Sequence, residues 1–184
     1  MDIKGYTIKP QANLVDADLY GADLPGANLT GADLDGANLT YANLQDANLA
    51  GANLDRAMLL DADLTGANLT GANLTRATLW NPNLGGANLR EANLTGARLE
   101  YARLEGANLT DANLTGADLS GAHLTDANLM DANLTDANLT GADFTGVWGV
   151  DEYTARALVA AGAINVHRAA GLSETLAAEL YLAA

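Results

Sequence analysis

The chain has 184 residues, with 23 Asp and Glu against 9 Lys and Arg, a net charge of −14 and no Cys. Disulfides, zinc thiolates and cysteine nucleophiles are thereby excluded, a surface this acidic repels nucleic-acid phosphates, and no apolar run is long enough to span a bilayer. Apolar residues make up 49% and aromatic residues 5%, so a core must be built largely from Ala and Leu. Residues 1–11 hold Ile3, Tyr6 and Ile8 and lack the long apolar stretch of a secretory signal. They are read as an N-terminal cap, an irregular first coil over the end of the body that begins at residue 12. The cytoplasm is the expected compartment.

From Ala12 to Thr145 the chain reads A-[N/D]-L-x-x without an insertion. Leu recurs every five residues from Leu14 onward, and the last position of the series is Phe144. Ala stands two residues before each, except at Pro82, and the residue between is Asn or Asp except at Met58, Thr78, Arg98, Arg103 and His123. A five-residue period on an α-helix sends successive Leu around every side. On one continuous strand it alternates them between faces. Within a unit, however, Ala and Leu are two apart and share one face of a short extended piece, while the Gly, Asp, Asn and Thr beyond them favour a bend. Extended pieces alternating with bends, Ala and Leu always inside, make a solenoid whose backbone pairs with the coils above and below. Met58, Thr78 and Arg98 are spaced by 20, as are Arg56 and Arg76, and Leu60 and Trp80, which suggests four units to a coil.

Residues 147–184 leave the repeat. Asp151 is suited to cap a helix running to about Ala161, with Gly162 as its stop. Ile164 and Val166 suggest a short extended link, and Ser173 is suited to cap a second helix from Glu174 to about Leu182. Leu172, Leu176 and Leu180 align on one side of that helix beside Tyr181. The expectation is a helical cap that also joins two chains into a homodimer through these four residues.

Units such as Gly26-Ala27-Asn28-Leu29-Thr30 and Gly66-Ala67-Asn68-Leu69-Thr70 resemble the pentapeptide-repeat proteins. The resemblance covers about three quarters of the chain. It implies an all-β solenoid, a right-handed quadrilateral β-helix over 12–146 with four units per coil. It also supplies one functional candidate, since some members are dimeric mimics of B-DNA that bind DNA gyrase and protect it from quinolones.

With four units per coil the outward residues sort into four faces. The first carries Asn73, Asn93, Asn113 and Asn133 with Thr75, Thr95, Thr115 and Thr135, a flat array that also admits ice binding. The fourth carries a column from Asn28 to Asn128 that can hydrogen-bond along its length. The second differs: Tyr20, Leu60 and Trp80 share one column, Met58, Thr78 and Arg98 another, and Tyr41 and Tyr101 stand at the following corner. Apolar and aromatic side chains clustered outward mark an interaction site. Residues 11–46 and 111–146 each carry six Asp and no Lys or Arg, while the middle is nearly neutral.

His123 falls in a column between Arg103 and Asp143, and no nucleophile and base surround it or His167. Calcium nonapeptides and phosphate-binding loops are absent from the sequence. No enzyme activity, cofactor, metal or direct nucleic-acid binding is expected. The leading expectation is a protein-binding scaffold that presents the second face to an unidentified protein. The gyrase-directed DNA mimic is the alternative, and ice binding a remote one.

Overall fold

A computed structural model describes residues 1–183. Its backbone between residues 12 and 148 is a stack of coils held by parallel bridges, each joining residues twenty apart, from Asn13 with Asp33 to Asn128 with Trp148. Only the middle residue of the Ala-Asn-Leu triplet bridges, so the extended pieces are too short to count as strands. Each unit of the inner coils makes the same bonds. The Asn53 N–H donates to the Ala32 carbonyl (2.9 Å), Leu54 to Asn73 (2.6 Å) and Arg56 to Thr75 (3.0 Å).

The bend is equally regular. The Ala57 N–H donates back to the Leu54 carbonyl (3.1 Å), closing a β-turn whose third residue has positive φ. Gly fills many of these corners, but Asp16, Tyr41 (φ 59°), Arg56 and Tyr101 (φ 59°) hold the same left-handed conformation with a side chain, at a cost of roughly 1–2 kcal/mol each. Asn and Asp dominate the position after Ala because their Oδ1 accepts the N–H two residues on, as from Thr65 to Asp63 and from Thr75 to Asn73. Asn also donates its amide one coil down, from Asn73 to Asn53 (2.9 Å) and from Asn43 to Asp23 (2.8 Å). A carboxylate only accepts, so Asp23, Asp33 and Asp118 sit beneath Asn43, Asn53 and Asn138.

The interior is a column of Leu and Ala, nearly all almost completely buried. Among the described residues no polar or charged side chain is fully buried. Pro82 is accommodated because the N–H it lacks would close only a turn, while its carbonyl still accepts from Arg103 (3.0 Å).

The N-terminal segment differs from the irregular coil expected of it. β1 (Asp2–Ile3) and β2 (Tyr6–Thr7) pair antiparallel around Lys4 and Gly5, both at positive φ, the requirement of a tight hairpin turn. Ile8 is buried against the first coil, with Ile3 and Tyr6 partly so.

At the other end Val147 takes an Ala position and is buried, but Gly149 stands where the next Leu would be. Its φ is +80°, and a Cβ there would meet Met130 N at 2.4 Å, so the chain passes over the last coil on bare backbone. Asp151 then caps α1 (Glu152–Ala160) by accepting the Thr154 N–H (2.7 Å). Ile164 pairs with Asp143, and Val166 opens a 3-10 turn (Val166–Arg168) where an extended link was expected. Asn165, at φ 59°, turns the chain at that point. α2 (Glu174–Ala183) comes last, with the Leu176 N–H donating to Ser173 Oγ (3.2 Å). Arg156 ties the two helices by pairing with Glu152 and Glu179.

Candidate functional site

Register places the second-face residues on adjacent coils. Tyr20 and Tyr41 are 21 residues apart, one coil plus one step around the corner, and their rings meet edge to face at 5.5 Å. Trp80 and Tyr101 repeat the geometry at 5.9 Å. Between the two pairs lies Leu60, whose carbonyl accepts the Tyr41 N–H. Tyr20 (49%), Met58 (43%), Trp80 (39%) and Tyr101 (53%) are exposed, as are Tyr41 and Arg98, whereas Leu60 and Thr78 are half-buried. The eight residues therefore succeed one another up a single face, with Tyr20 steadied from below by Lys4, whose ammonium lies 5.8 Å from the ring centroid. Large apolar side chains on a flat β-surface gain little from folding at these exposures, and edge-to-face pairs hold their rings at low conformational freedom.

The patch ends in a groove of about 600 Å³ lined by Trp80, Asn81, Tyr101, Arg103, Glu105 and His123. The sequence pattern leaves Arg103, Glu105 and His123 out of the site, and makes His123 one member of a charge column. The corner explains the difference. Tyr101 leans over Gly121, where a Cβ would sit 2.7 Å from the ring, and so the aromatic pair bounds a depression that continues onto the third face. The sequence signal available was the glycine one coil above a corner tyrosine. Arg98 closes the face by pairing with Glu100 at 2.8 Å, which raises its already high pKa, and the other Glu100 oxygen is buried without a partner among the described residues.

The acidic residues have structural work. Partial burial disfavours the Asp63 carboxylate, but hydrogen bonds from the Thr65 hydroxyl, the Thr65 N–H and the Gln45 amide outweigh it, helped by Arg103, and hold the group below the usual carboxylate range. Asp118 and Asp143 behave alike, with Ser120 and Asn138, and Asn165 and Thr145, as donors. Arg56 and Arg76 pair with Asp35 and Asp55 one coil below. On the first face the Thr75, Thr95, Thr115 and Thr135 hydroxyls donate to the Asn two residues before each, so those hydroxyl protons are engaged within the array.

The contacts expected of a dimer fall differently. Leu176 and Leu180 are buried within the chain and Leu172 is partly buried against its core, so the stripe covers the chain's own end and leaves a second chain little of it. Tyr181 is exposed (67%), its ring edge to face with His167 at 5.1 Å. Among the described residues there is no cluster of three metal-binding side chains and no helix long and apolar enough to cross a membrane.

The family model of pentapeptide repeats matches in eight copies, over segments running from residue 12 to residue 146. The chain belongs to that family. No curated protein matches it. Among solved structures it is similar to HetL, a pentapeptide repeat protein involved in heterocyst differentiation regulation in the cyanobacterium Nostoc sp. strain PCC 7120. The two share 35% identity over 76% of this chain and 75% of that one, with a TM-score of 0.46. It is also similar to QnrB1, a plasmid-mediated fluoroquinolone resistance protein (22% identity, 83% and 94% covered, TM-score 0.41). A third is a pentapeptide repeat protein of the Arabidopsis thaliana thylakoid lumen (27% identity, 79% and 83% covered, TM-score 0.40).

Proposed function

We propose that this protein is a non-enzymatic scaffold of the cytoplasm, a right-handed four-sided β-helix closed by its C-terminal helices, that binds a partner protein through its second face. The observation that supports the reading is the row of outward aromatic and aliphatic side chains from Tyr20 through Met58 and Trp80 to Tyr101, paired edge to face on a rigid wall. Aromatic residues with an adjacent Arg are the side chains on which binding energy concentrates. Because the backbone beneath is fixed coil by coil, little ordering entropy opposes association. The flanking Arg103 and His123 give the groove polar contacts that select among partners. The test is affinity capture from the native lysate with the wild type and with Leu60→Ala, Trp80→Ala, both shown by circular dichroism to be folded. Loss of specific partners in the double variant supports the reading; an unchanged set of captured proteins refutes it.

A second reading, nucleic-acid mimicry toward DNA gyrase, is favoured by the corner carboxylates Asp126, Asp131 and Asp136. They are exposed and, among the described residues, carry no ion pair. Inhibition of supercoiling by purified gyrase is its test.

A further inference from the structure

The last coil is closed unevenly. On its third and fourth faces the chain beyond α1 supplies the bonds that the next coil would have made. Gly141 donates to Gly162, Phe144 to Ile164 and Gly146 to Arg168, while Ile164 donates to Ala142 and Ala170 to Val147. Along residues 131–139 nothing does so. The lower edge of this segment is paired, with Leu114 donating to Asn133 (2.8 Å) and Asn133 to Ala112 (2.9 Å). On the upper edge the N–H groups of Asp131, Leu134, Asp136 and Leu139 and the carbonyls of Ala132 and Ala137 have no partner among the described residues. Their equivalents one coil below are all bonded, as Asp111 to Met130 and Gly116 to Thr135. In register, the residue above Asn133 would be Tyr153, which α1 has carried away into a helix, 84% exposed.

α1 does not cover the edge. It stands beside it and leaves two adjoining grooves, of about 260 and 450 Å³, that share Ala132, Leu134 and Thr154. The floor is the open edge, including half-buried Leu134 and Ala137, and the far wall includes Ala157 and Leu158. The charged residues that line the two grooves are all acids, Asp131, Asp136 and Asp151, and Glu152 beside them is paired with Arg156. The Asp151 carboxyl is held below the usual range by its bonds from Thr154.

We infer that this edge is a docking site for an extended, cationic segment of a partner protein, which adds one strand where the coil stops. A residue of the added strand would give its N–H to the Ala132 carbonyl and accept from Leu134 N–H, as every inner coil does with its neighbour. The residues on either side of it would face the apolar groove, where Ala, Val or Leu two apart fit the pattern of the coil itself. Flanking Lys or Arg would meet the acidic rim. The obvious rival is head-to-tail stacking of a second copy. The first coil of such a copy is already covered by its own hairpin β1–β2, with Ile8 buried against it, so that end is capped. The site is separate from the second face and does not rest on the function proposed for it.

The probe is a fluorescent hexapeptide, blocked at both ends, with Ala and Leu two apart between lysines, titrated into the full chain and monitored by anisotropy. Saturable binding is expected. Methylation of the backbone nitrogen between Ala and Leu should weaken it about tenfold or more, since it removes the donor to Ala132. Replacing the lysines with glutamates should weaken it as much. Ala157→Trp, on an exposed helix position, should fill the groove and weaken it likewise, whereas Leu60→Ala, Trp80→Ala should leave it unchanged. No saturable binding by the wild type overturns the inference, as does binding indifferent to both N-methylation and Ala157→Trp. Sedimentation of the protein alone as concentration-dependent linear oligomers would assign the edge to a second copy and overturn it too.

Discussion

Replacing Leu69 with Ala tests how the rod is held together. Leu69 is completely buried, and Leu49 and Leu89 lie below and above it in the same interior column. The backbone on both sides is pinned, with Leu49 donating to Asn68 and Leu69 to Asn88, each at 2.7 Å. Buried Leu→Ala substitutions cost between about 2.7 and 5 kcal/mol, according to how far the walls relax into the cavity. Walls locked by bonds every few ångströms relax little, so about 4 kcal/mol is expected. Leu134→Ala removes the same atoms from a half-buried side chain beside an open groove, where about 1–2 kcal/mol is expected. Each coil touches only its neighbours, so the mid-rod variant should also broaden the transition as the halves begin to unfold separately. Urea unfolding monitored by far-ultraviolet circular dichroism measures both effects. Equal losses for the two variants would refute the difference between a sealed interior and an open end. A loss below about 1.5 kcal/mol for Leu69→Ala would refute the rigid-wall argument.

The geometry at two glycines and at the partly buried carboxylates sets the further outcomes. Gly149→Ala should destabilise the C-terminal end by more than about 2 kcal/mol, because its Cβ would strike Met130 and Leu129 backbone at a left-handed φ. Gly121→Ala meets the movable Tyr101 ring and should cost less while changing tryptophan fluorescence, and thermal melts with emission spectra distinguish the two. Asp63, Asp118 and Asp143 have depressed folded pKa values, so their contribution is fully present above the unfolded carboxylate range and is lost as pH falls below about 4. Melting temperatures between pH 7 and pH 3 should fall in that window, and Asp63→Asn should flatten the fall.

Much of the solenoid is written in the period. Leu and Ala two apart, with two turn-forming residues after them, leave one arrangement that buries both, and it holds from Leu14 to Phe144 because every unit repeats the same local problem. The caps at Asp151 and Ser173 are equally local, each set by one side-chain oxygen and the N–H groups it faces. The hairpin at Lys4 and Gly5 is local as well, but its turn is too short to stand out beside the repeat. What could not be read along the chain depends on residues twenty or more apart. The spacing of Met58, Thr78 and Arg98 hints at the coil length, but only the bonds between coils fix it and bring Tyr20 to Tyr41 and Trp80 to Tyr101. Arg103 and His123 join that site because Tyr101 leans over a missing side chain at Gly121, a matter of shape around a corner. Leu176 and Leu180 read as a free stripe until the 3-10 turn and α1 are packed beneath them. The open edge at Leu134 exists only because α1 stands aside from it, a choice made by how the helices pack and not by any unit of the repeat.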